Sequence, residues 1–433
     1  MTAPVERRTI ALIAGLALGM AGCGTSSVVP RPSSGTAAAS PTRSQTSAST
    51  VPGAVSPTPA TETPSSTESL PPLTTAWAEV AAPSGPAVLN AIACAGASEC
   101  WAVGSSGAGD LSASVPIIDA YQGNRWIAVS GVPAIAGGLN GVACAASDDC
   151  WAVGSGATGP LVMRYNGDTW AAVKTPGLSS EDGGLFGISC TGSSDCWAVG
   201  QGSAGSGAKQ AVGPLLAHFD GSGWVAVSGP ALPANDALLS AIACPAAGDC
   251  WAVGDAGDFS GLVEHLSNGV WAAVTSPDLA GSDQTGGTLD SISCASADQC
   301  WAVGGGPEAE GPPVIEQLSN GAWTVEPVAG TPSGSGNLSG IACQSWSDCW
   351  AVGFGASSNG ITSPLQVADL VEHYAGGSWT PMSASPAFDN QQGDPYQYLQ
   401  AVTCVASTCW TVGYASGGSG PVRPVIETAS VSG

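Results

Sequence analysis

Basic side chains are scarce in this sequence. Only nine of its 433 residues are Lys or Arg, against 33 Asp or Glu, which gives a formal net charge of −24 at pH 7. A protein that binds nucleic acid neutralises phosphate groups with clustered Lys and Arg side chains. So few basic residues cannot supply such a surface. Nucleic acid is therefore excluded as a partner, and the acidic excess keeps a Gly-rich surface soluble.

Histidine is scarcer still. His218, His265 and His373 each stand six residues before a tryptophan, a position that other parts of the chain fill with Ala, Arg or Gln. A position that accepts such different residues is structural rather than catalytic. The sequence also shows no nucleophile with a base beside it. We therefore predict no catalytic residue and no cofactor.

A long apolar run occurs once, in the N-terminal segment "MTAPVERRTIALIAGLALGMAGC". Two arginines precede an apolar run that is too short to span a bilayer, as in a secretory signal. Its last four residues, Met-Ala-Gly-Cys, resemble a bacterial lipobox, which implies that residues 1–23 are a lipoprotein signal peptide and that Cys23 carries lipid. The alternative is an ordinary cleaved signal with an unmodified cysteine.

Residues 24–75 consist mostly of Ser, Thr, Pro and Ala. Such a segment has too little apolar surface to pack, so it is predicted to be a disordered tether of roughly 40 Å. The remaining domain, residues 76–433, is then expected outside the cytoplasm, anchored to the outer face of the cell membrane. It would contact the membrane only through the lipid.

Fourteen of the fifteen cysteines form seven pairs, the first in "CAGASECWAVG" at Cys94. Five residues separate the two cysteines of a pair, and four in the last pair. Zinc would need four ligands brought together, whereas exported cysteines oxidise. The predicted disulfides are Cys94–Cys100, Cys144–Cys150, Cys190–Cys196, Cys244–Cys250, Cys294–Cys300, Cys343–Cys349 and Cys404–Cys409. The acidic residue before the second cysteine is interpreted as a turn-former: Glu99, Asp149, Asp195, Asp249 and Asp348.

Each repeat of roughly 50 residues reads as four short strands, A to D. Strand A ends at the first cysteine, strand B is Cys-Trp-Ala-Val-Gly, strand C resembles "GLVEHL" and strand D begins at a second tryptophan. Two strands joined by five residues form a hairpin, which places the cysteines opposite one another. Four-stranded units that repeat at this period are propeller blades.

The two ends of the domain complement each other. The last repeat stops before its tryptophan strand, while an unassigned tryptophan strand, "TTAWAEV" with Trp77, stands at the start. An open array would expose a strand edge and an apolar face at each end. The sequence therefore predicts an all-β, seven-bladed β-propeller with four-stranded blades, closed by an N-terminal outer strand and expected to be monomeric.

The pattern "LxGIxC…CWAVG…LVEHLSNGVWAAV" resembles the BNR or Asp-box blades of photosystem II assembly-factor-like and sialidase-like propellers. It also resembles the CWAVG repeats of exported actinobacterial proteins. The resemblance implies the fold and does not specify a function. A sialidase binds its substrate carboxylate with three arginines. Here Arg125, Arg164 and Arg423 stand in different repeats, so sialidase chemistry is not expected.

Length variation is concentrated in the B–C and D–A connections, which lie on one face of the ring, and binding residues favour variable loops on a rigid scaffold. The loop "SPAFDNQQGDPYQYLQ" and two nearby B–C loops carry the aromatic, acidic and amide residues. The predicted ligand-binding residues are Phe354, Phe388, Asp389, Asn390, Asp394, Tyr396, Tyr398 and Tyr414. The alternative is that this loop only caps the ring.

One position of strand C is acidic in five repeats: Asp119, Glu264, Glu316, Glu372 and Glu427. Calcium prefers oxygen ligands, but residues of different blades are far apart, so a solvated or inter-blade polar row is favoured and no metal is predicted. The predicted function is a non-catalytic binding or scaffold propeller for an envelope protein or cell-wall glycan. The alternative is an extracellular lyase or glycosidase that uses loop carboxylates.

Overall fold

The computed structural model describes residues 77–106, 113–178, 183–204, 211–232, 236–257, 260–277, 287–306, 311–328, 335–357, 366–382, 396–416 and 421–431. These residues form 28 β-strands and no α-helix. None of them forms a helix that is long and apolar enough to cross a membrane. Residues 1–76 lie outside the described part, so the signal peptide, Cys23 and the tether stay predictions.

The strands group into four-stranded units, which we number as blades in chain order. Blade 1 contains β2 (Ala87–Gly96), β3 (Glu99–Ser106), β4 (Pro116–Gln122) and β5 (Arg125–Ala128). Blade 2 contains β6 (Gly137–Ala146), β7 (Asp149–Gly156), β8 (Gly159–Tyr165) and β9 (Trp170–Ala172). Blade 3 contains β10 (Gly184–Gly192), β11 (Asp195–Ala204), β12 (Ala211–Phe219) and β13 (Trp224–Val227). Blade 4 contains β14 (Leu238–Ala246), β15 (Asp249–Asp255), β16 (Gly261–Ser267) and β17 (Val270–Val274).

Three further units complete the described strands. Blade 5 contains β18 (Thr288–Ser296), β19 (Gln299–Gly305), β20 (Pro313–Ser319) and β21 (Ala322–Glu326). Blade 6 contains β22 (Ser335–Ser345), β23 (Asp348–Ser357), β24 (Gln366–Ala375) and β25 (Ser378–Pro381). Blade 7 contains β26 (Tyr396–Val405), β27 (Thr408–Ser416), β28 (Arg423–Ser430) and the N-terminal strand β1 (Ala78–Val80).

Neighbouring strands within each blade pair in antiparallel order from A to D. In blade 7 the outermost strand is β1, whose Ala78 pairs with Thr428 and whose Val80 pairs with Ile426. The chain therefore closes its last blade with its first described strand. Repeated four-stranded antiparallel sheets confirm the predicted all-β propeller with this closure.

The hydrophobic core lies between blades. Each apolar cluster joins the inner strands of one blade to the next, because both faces of every sheet are covered by neighbours. The cluster that closes the ring packs Leu89 and Ile92 of blade 1 against Trp410 and Val412 of blade 7. Strand β2 contacts β26, as each A strand contacts the next. The described blades thus form a continuous ring.

The repeated Cys-Trp-Ala-Val-Gly segment is a scaffold element. Each cysteine pair is joined by a disulfide across the A–B hairpin, with Cα atoms 3.9–4.1 Å apart. A β-bulge follows Leu89, the partner of Gly104, and a Cβ atom at Gly104 would lie 1.9 Å from the Val88 carbonyl oxygen. The glycine is therefore required by the close approach of the two backbones.

Peptide mapping without reductant should recover seven peptides that are each cross-linked within one hairpin. The measurement is mass spectrometry after proteolysis with free thiols blocked. Alkylation of most hairpin cysteines, or disulfides between different blades, would contradict the pairing.

Replacing both cysteines of one pair by Ala, such as Cys244 and Cys250, should lower the free energy of unfolding by about 2 kcal/mol, since the closed loop is short.

Candidate functional site

Four aromatic residues predicted for the ligand face lie in one cluster. Phe354 is on β23, Tyr396 and Tyr398 are on β26, and Tyr414 is on β27. The ring centroid of Tyr398 is 5.0 Å from that of Phe354 and 5.0 Å from that of Tyr414. Three valines pack against this aromatic cluster: Val88, Val367 and Val422. The structure therefore brings together residues from blades 1, 6 and 7.

The expected loop positions of these aromatic residues were wrong. All four lie on strands, because A–B pairing in blade 7 continues to Tyr398↔Tyr414 and Tyr396↔Ser416. In blade 6, Phe354 pairs with Asn337 in the same way. Strand pairing therefore fixes the backbone at these positions.

Exposure divides the aromatic cluster in two. Tyr398 is 2% exposed and Tyr414 is 8% exposed, whereas Phe354 and Tyr396 are partly exposed. Burial raises the pKa of Tyr398 to about 12 and also raises the pKa of Tyr414, so both phenols stay neutral. The two buried tyrosines form the floor of the aromatic cluster, and Phe354 and Tyr396 form its accessible surface.

The other predicted ligand residues lie outside the described residues. They belong to the loop between blades 6 and 7: Phe388, Asp389, Asn390 and Asp394. Their contribution to binding stays a prediction.

A polar cluster stands beside the aromatic one and shares strand β26 with it. The Gln397 side-chain nitrogen donates hydrogen bonds to Asp369 Oδ2 at 2.6 Å and to Glu427 Oε1 at 3.0 Å. Arg423 donates to Glu79. Burial, with nearby negative charge, raises the pKa of Asp369 well above its usual value and that of Glu427 to about 7. Sequence reasoning named Glu427 and Arg423 but did not connect them, and it missed Asp369 and Gln397, which have no counterparts in other repeats.

An open depression of about 490 Å³ adjoins these residues. Its walls are the connection after β1 and the segment before β28. The lining side chains include Glu79, Ser84, Pro86, Val422 and Arg423. An apolar floor beside one ion pair suits an extended chain more than a compact charged metabolite.

The five acidic residues of the C strands are fully buried: Asp119, Glu264, Glu316, Glu372 and Glu427. They lie between blades rather than in solvent. Ser84 donates to Asp119 at 2.5 Å and Ser276 donates to Glu316 at 2.6 Å, each from the connection that precedes the blade. Carboxylates in this position cannot reach an external substrate. Across the described ranges, no three His, Cys, Asp or Glu side chains form a metal-binding group.

The histidines have a shared structural role. His218 hydrogen-bonds Asp195 at 2.8 Å and stacks on Trp197 with centroids 4.2 Å apart. The other two repeat this geometry, with distances to the carboxylate of 3.0 and 2.8 Å. The complete sets are Asp195–His218–Trp197, Asp249–His265–Trp251 and Asp348–His373–Trp350.

Blade 2 uses an arginine at the same position. Arg164 donates to both oxygens of Asp149, at 2.8 and 3.0 Å, and lies 4.7 Å from the Trp151 ring. In these four blades the aspartate before the second cysteine is therefore the partner of a C-strand side chain, and not only a turn-former. Arg164 pairs with Asp149 in blade 2, and Arg423 pairs with Glu79 in blade 7, so these two arginines lie in different blades.

Each inner tryptophan contacts the outer-strand tryptophan of the next blade and at least one further ring, which comes either from its own blade or from the next one. Where the blade supplies histidine, the next blade presents a small or aliphatic side chain: Leu266, Leu318 or Ala429. In the other four blades, the next blade supplies an aromatic ring centred 4.6 Å away: Tyr121, Tyr165, Phe219 or Tyr374. In three blades a histidine of the same blade therefore stacks on the inner tryptophan, and in the other four an aromatic ring of the next blade contacts it.

This alternation predicts a compensating pair of substitutions. His265→Ala should destabilise the domain by about 1–2 kcal/mol, because Trp251 loses its stacked partner and Asp249 its hydrogen bond. Leu318→Tyr alone should also destabilise, because the ring would crowd His265. In the double variant, the tyrosine should occupy the vacated space and recover at least half of the loss. Denaturant unfolding of all four proteins measures the coupling, and additive effects would contradict the interpretation.

Comparison with known proteins identifies the fold. No family model matches the chain, and no curated protein matches it. The WD40 repeats of RRP9 are similar in structure, with a TM-score of 0.54, 10% identity and coverage of 82% of this chain and 98% of that chain. YCF48 bound to a D1 peptide has a TM-score of 0.50 and 13% identity, covering 82% of this chain and 97% of that chain.

These similarities support the β-propeller fold and nothing finer. Identities of 10% and 13% are too low to carry over a site or an activity. The resemblance to BNR blades and to actinobacterial CWAVG repeats stays a prediction from the sequence.

Proposed function

We propose that this chain is a non-catalytic binding propeller, held outside the cell membrane by lipid on Cys23. Its ligand is an extended segment of an envelope protein or a cell-wall glycan. The observation that carries the proposal is the aromatic cluster on the variable face, where Phe354 and Tyr396 are accessible above buried Tyr398 and Tyr414. Aromatic faces bind both peptide side chains and sugar rings with little loss of conformational entropy.

The neighbouring depression supports an extended ligand. It begins beside Arg423 and Glu79 and has apolar walls, which is the mixture of a hydrophobic surface and few oriented polar groups that binding sites use. A propeller of similar shape, YCF48, has been solved with a D1 peptide. This supports peptide as the first ligand class to test.

Enzymatic activity has less support. The acidic residues common to the C strands are buried between blades and face no solvent. A glycosidase would need two carboxyl groups flanking an accessible sugar position. No observation on the described residues specifically favours that alternative.

The location outside the cytoplasm is supported by the seven hairpin disulfides, since such bonds persist in oxidising compartments. Cys23→Ser should release the protein into the medium and remove the lipid mass. The measurements are membrane fractionation and intact-mass analysis. Release of a folded, disulfide-bonded domain would separate loss of the anchor from misfolding. Unchanged fractionation and mass would contradict the anchor.

Binding is tested with the full mature chain immobilised through its tether and probed with a displayed random-peptide library and a glycan array. Phe354→Ala and Tyr396→Ala should each weaken the selected ligand at least tenfold. Val270→Ala is the matched control, because Val270 is 66% exposed on the outer strand of blade 4. Selection of ligands that bind all three variants equally would contradict this face as the site.

A further inference from the structure

A second open depression, of about 380 Å³, lies between blades 3 and 4. It is lined by the A–B and C–D turns and the strands beside them, on the face opposite the aromatic cluster. Blade 4 adds two glycines to its rim, and a Cβ atom at Gly248 or Gly269 would meet no atom within 4 Å. Four side chains of blade 3 and one of blade 4 also line it: Asp195, Trp197, His218, Asp220 and Leu266.

Blade 4 has an aliphatic residue at this junction where neighbouring blades have a ring. Leu266 pairs with Cys250, as Phe219 pairs with Cys196 in blade 3. The Phe219 ring is centred 4.6 Å from Trp151 of the preceding blade. Blade 4 therefore supplies no ring to the junction with blade 3.

The other two junctions with a stacked histidine are covered. Between blades 4 and 5, the Trp251 indole nitrogen donates to the carbonyl oxygen of Ala297, in the next hairpin turn, at 2.8 Å. Between blades 6 and 7, Val431 packs in the same cluster as Trp350. Between blades 3 and 4, by contrast, the side chains of Asp195 and His218 are each 25% exposed.

The charge of this depression is negative. Asp220 accepts hydrogen bonds at Oδ1 from the Ser222 hydroxyl and from the backbone N–H groups of Ser222 and Gly223. These bonds lower the pKa of Asp220, so its carboxyl group is ionised at neutral pH. Asp195 is the second acid, and none of the described residues that line the depression is Lys or Arg. The depression therefore favours a cation over an anion.

Blade 2 shows how the same arrangement holds a cation. Its Arg164 occupies the strand position of His218. Arg164 donates to both oxygens of Asp149, and its guanidinium carbon lies 4.7 Å from the Trp151 centroid. The same carbon lies 5.8 Å from the Phe219 centroid, in the next blade. A planar guanidinium can stack on rings and bond a carboxylate through two donors, which an ammonium group cannot do.

We propose that the depression between blades 3 and 4 binds the guanidinium group of an arginine on an extended segment of a partner protein. The planar group would lie over Leu266, against the rings of Trp197 and His218. Its N–H groups would donate to Asp220 Oδ2 and to Asp195. The net charge of −24 would also attract a basic segment before contact. This site is separate from the variable face, and its occupancy does not depend on the ligand proposed there.

The three histidines of the chain provide the test. The untagged mature chain with isotope-labelled histidine gives three imidazole NMR signals, each assigned by its loss in a His→Gln variant. The probe is N-acetylarginine N-methylamide, at pH 8. It should shift the His218 signal with a Kd of about 1–10 mM, as expected for one small charged group. The signals of His265 and His373 should stay in place, since these residues lie at covered junctions.

Three variants locate the probe. Asp220→Asn keeps the oxygen that accepts the turn hydrogen bonds but loses the charge, and should raise the Kd roughly fivefold, the upper range for an exposed ion pair. Asp168→Asn is the matched control, at an exposed acid of the C–D turn in blade 2, and should bind like the wild type. Leu266→Tyr should fill the depression and abolish binding, with unchanged His265 and His373 signals showing that the domain is folded.

An uncharged analogue separates charge from shape. N-acetylcitrulline N-methylamide has nearly the same shape and should bind roughly tenfold more weakly, because its hydrogen bonds are not charge-assisted. The proposal is overturned if the arginine probe leaves the His218 signal in place at about 50 mM. It is also overturned if all three histidine signals shift together, or if the citrulline analogue binds equally well.

Discussion

Deletion of residues 74–82 is expected to lower the melting temperature of the domain more than any other short deletion. It removes β1, the outer strand of blade 7, together with Trp77, which is 1% exposed and contacts Trp350 edge-on at 5.6 Å. Trp77 also packs against Val425 and Ala429 of β28. Loss of a buried tryptophan alone costs about 3–5 kcal/mol, and the exposed edge of β28 adds to this loss.

Deletion of residues 24–70 is the matched control, because it shortens the chain by more residues and leaves Trp77 in place. Its melting temperature should equal that of the full chain. Trp77→Ala should reproduce most of the effect of deleting 74–82, whereas Trp77→Phe should retain part of the stability. Equal melting temperatures for both deletions would contradict closure of the ring by β1.

The domain is expected to be more stable at pH 5 than at pH 8. Burial raises the pKa of Asp119 to about 6 and those of Glu264 and Glu427 to about 7. In the unfolded chain these groups titrate at their ordinary values of 3.8 and 4.5. The folded protein therefore holds protons that unfolding releases, and stability falls as the pH rises from about 4 to about 7.

Glu264 provides the clearest measurement of this effect. Both of its carboxylate oxygens are buried without a partner, and each pKa unit corresponds to 1.36 kcal/mol, so the ionised form costs about 3 kcal/mol. Glu264→Gln should be more stable than the wild type at pH 8 and should show a smaller difference between pH 5 and pH 8. Glu326→Gln, at a partly exposed acid, should leave that difference unchanged. An unaltered pH profile in Glu264→Gln would contradict a neutral buried carboxyl group.

Local spacing made the scaffold predictable. Two cysteines five residues apart in front of Trp-Ala-Val-Gly can meet only across a hairpin, and the structure joins each such pair. The missing tryptophan strand of the last repeat likewise identified Trp77 as its complement, since a propeller without that strand has an open edge. The first inference needed only the sequence of one repeat, and the second needed the count of strands over all the repeats.

Contacts between repeats were less predictable. An inner tryptophan stacks either on a histidine of its own blade, such as His265, or on an aromatic ring of the next blade, such as Tyr374. Which of the two occurs depends on the side chain of the next blade that faces the tryptophan, and the spacing within a hairpin does not contain that information. The polar cluster is harder still, because Asp369 and Gln397 have no equivalents in other blades. Strand β27 also extends beyond the repeated motif, so Tyr414 lies on this strand and not in the expected loop.

Closure by β1 determines the order in which the molecule can mature. The hairpin disulfides join cysteines five or six positions apart, so each hairpin can oxidise as soon as it emerges. Glu79 and Arg423, by contrast, are 344 positions apart, and contacts at such separations form slowly because loop closure must come first. Strand β1 can therefore pair with β28 only once nearly the whole chain is available. The early disulfides would hold the hairpins in register over that interval and limit aggregation of the unfinished ring.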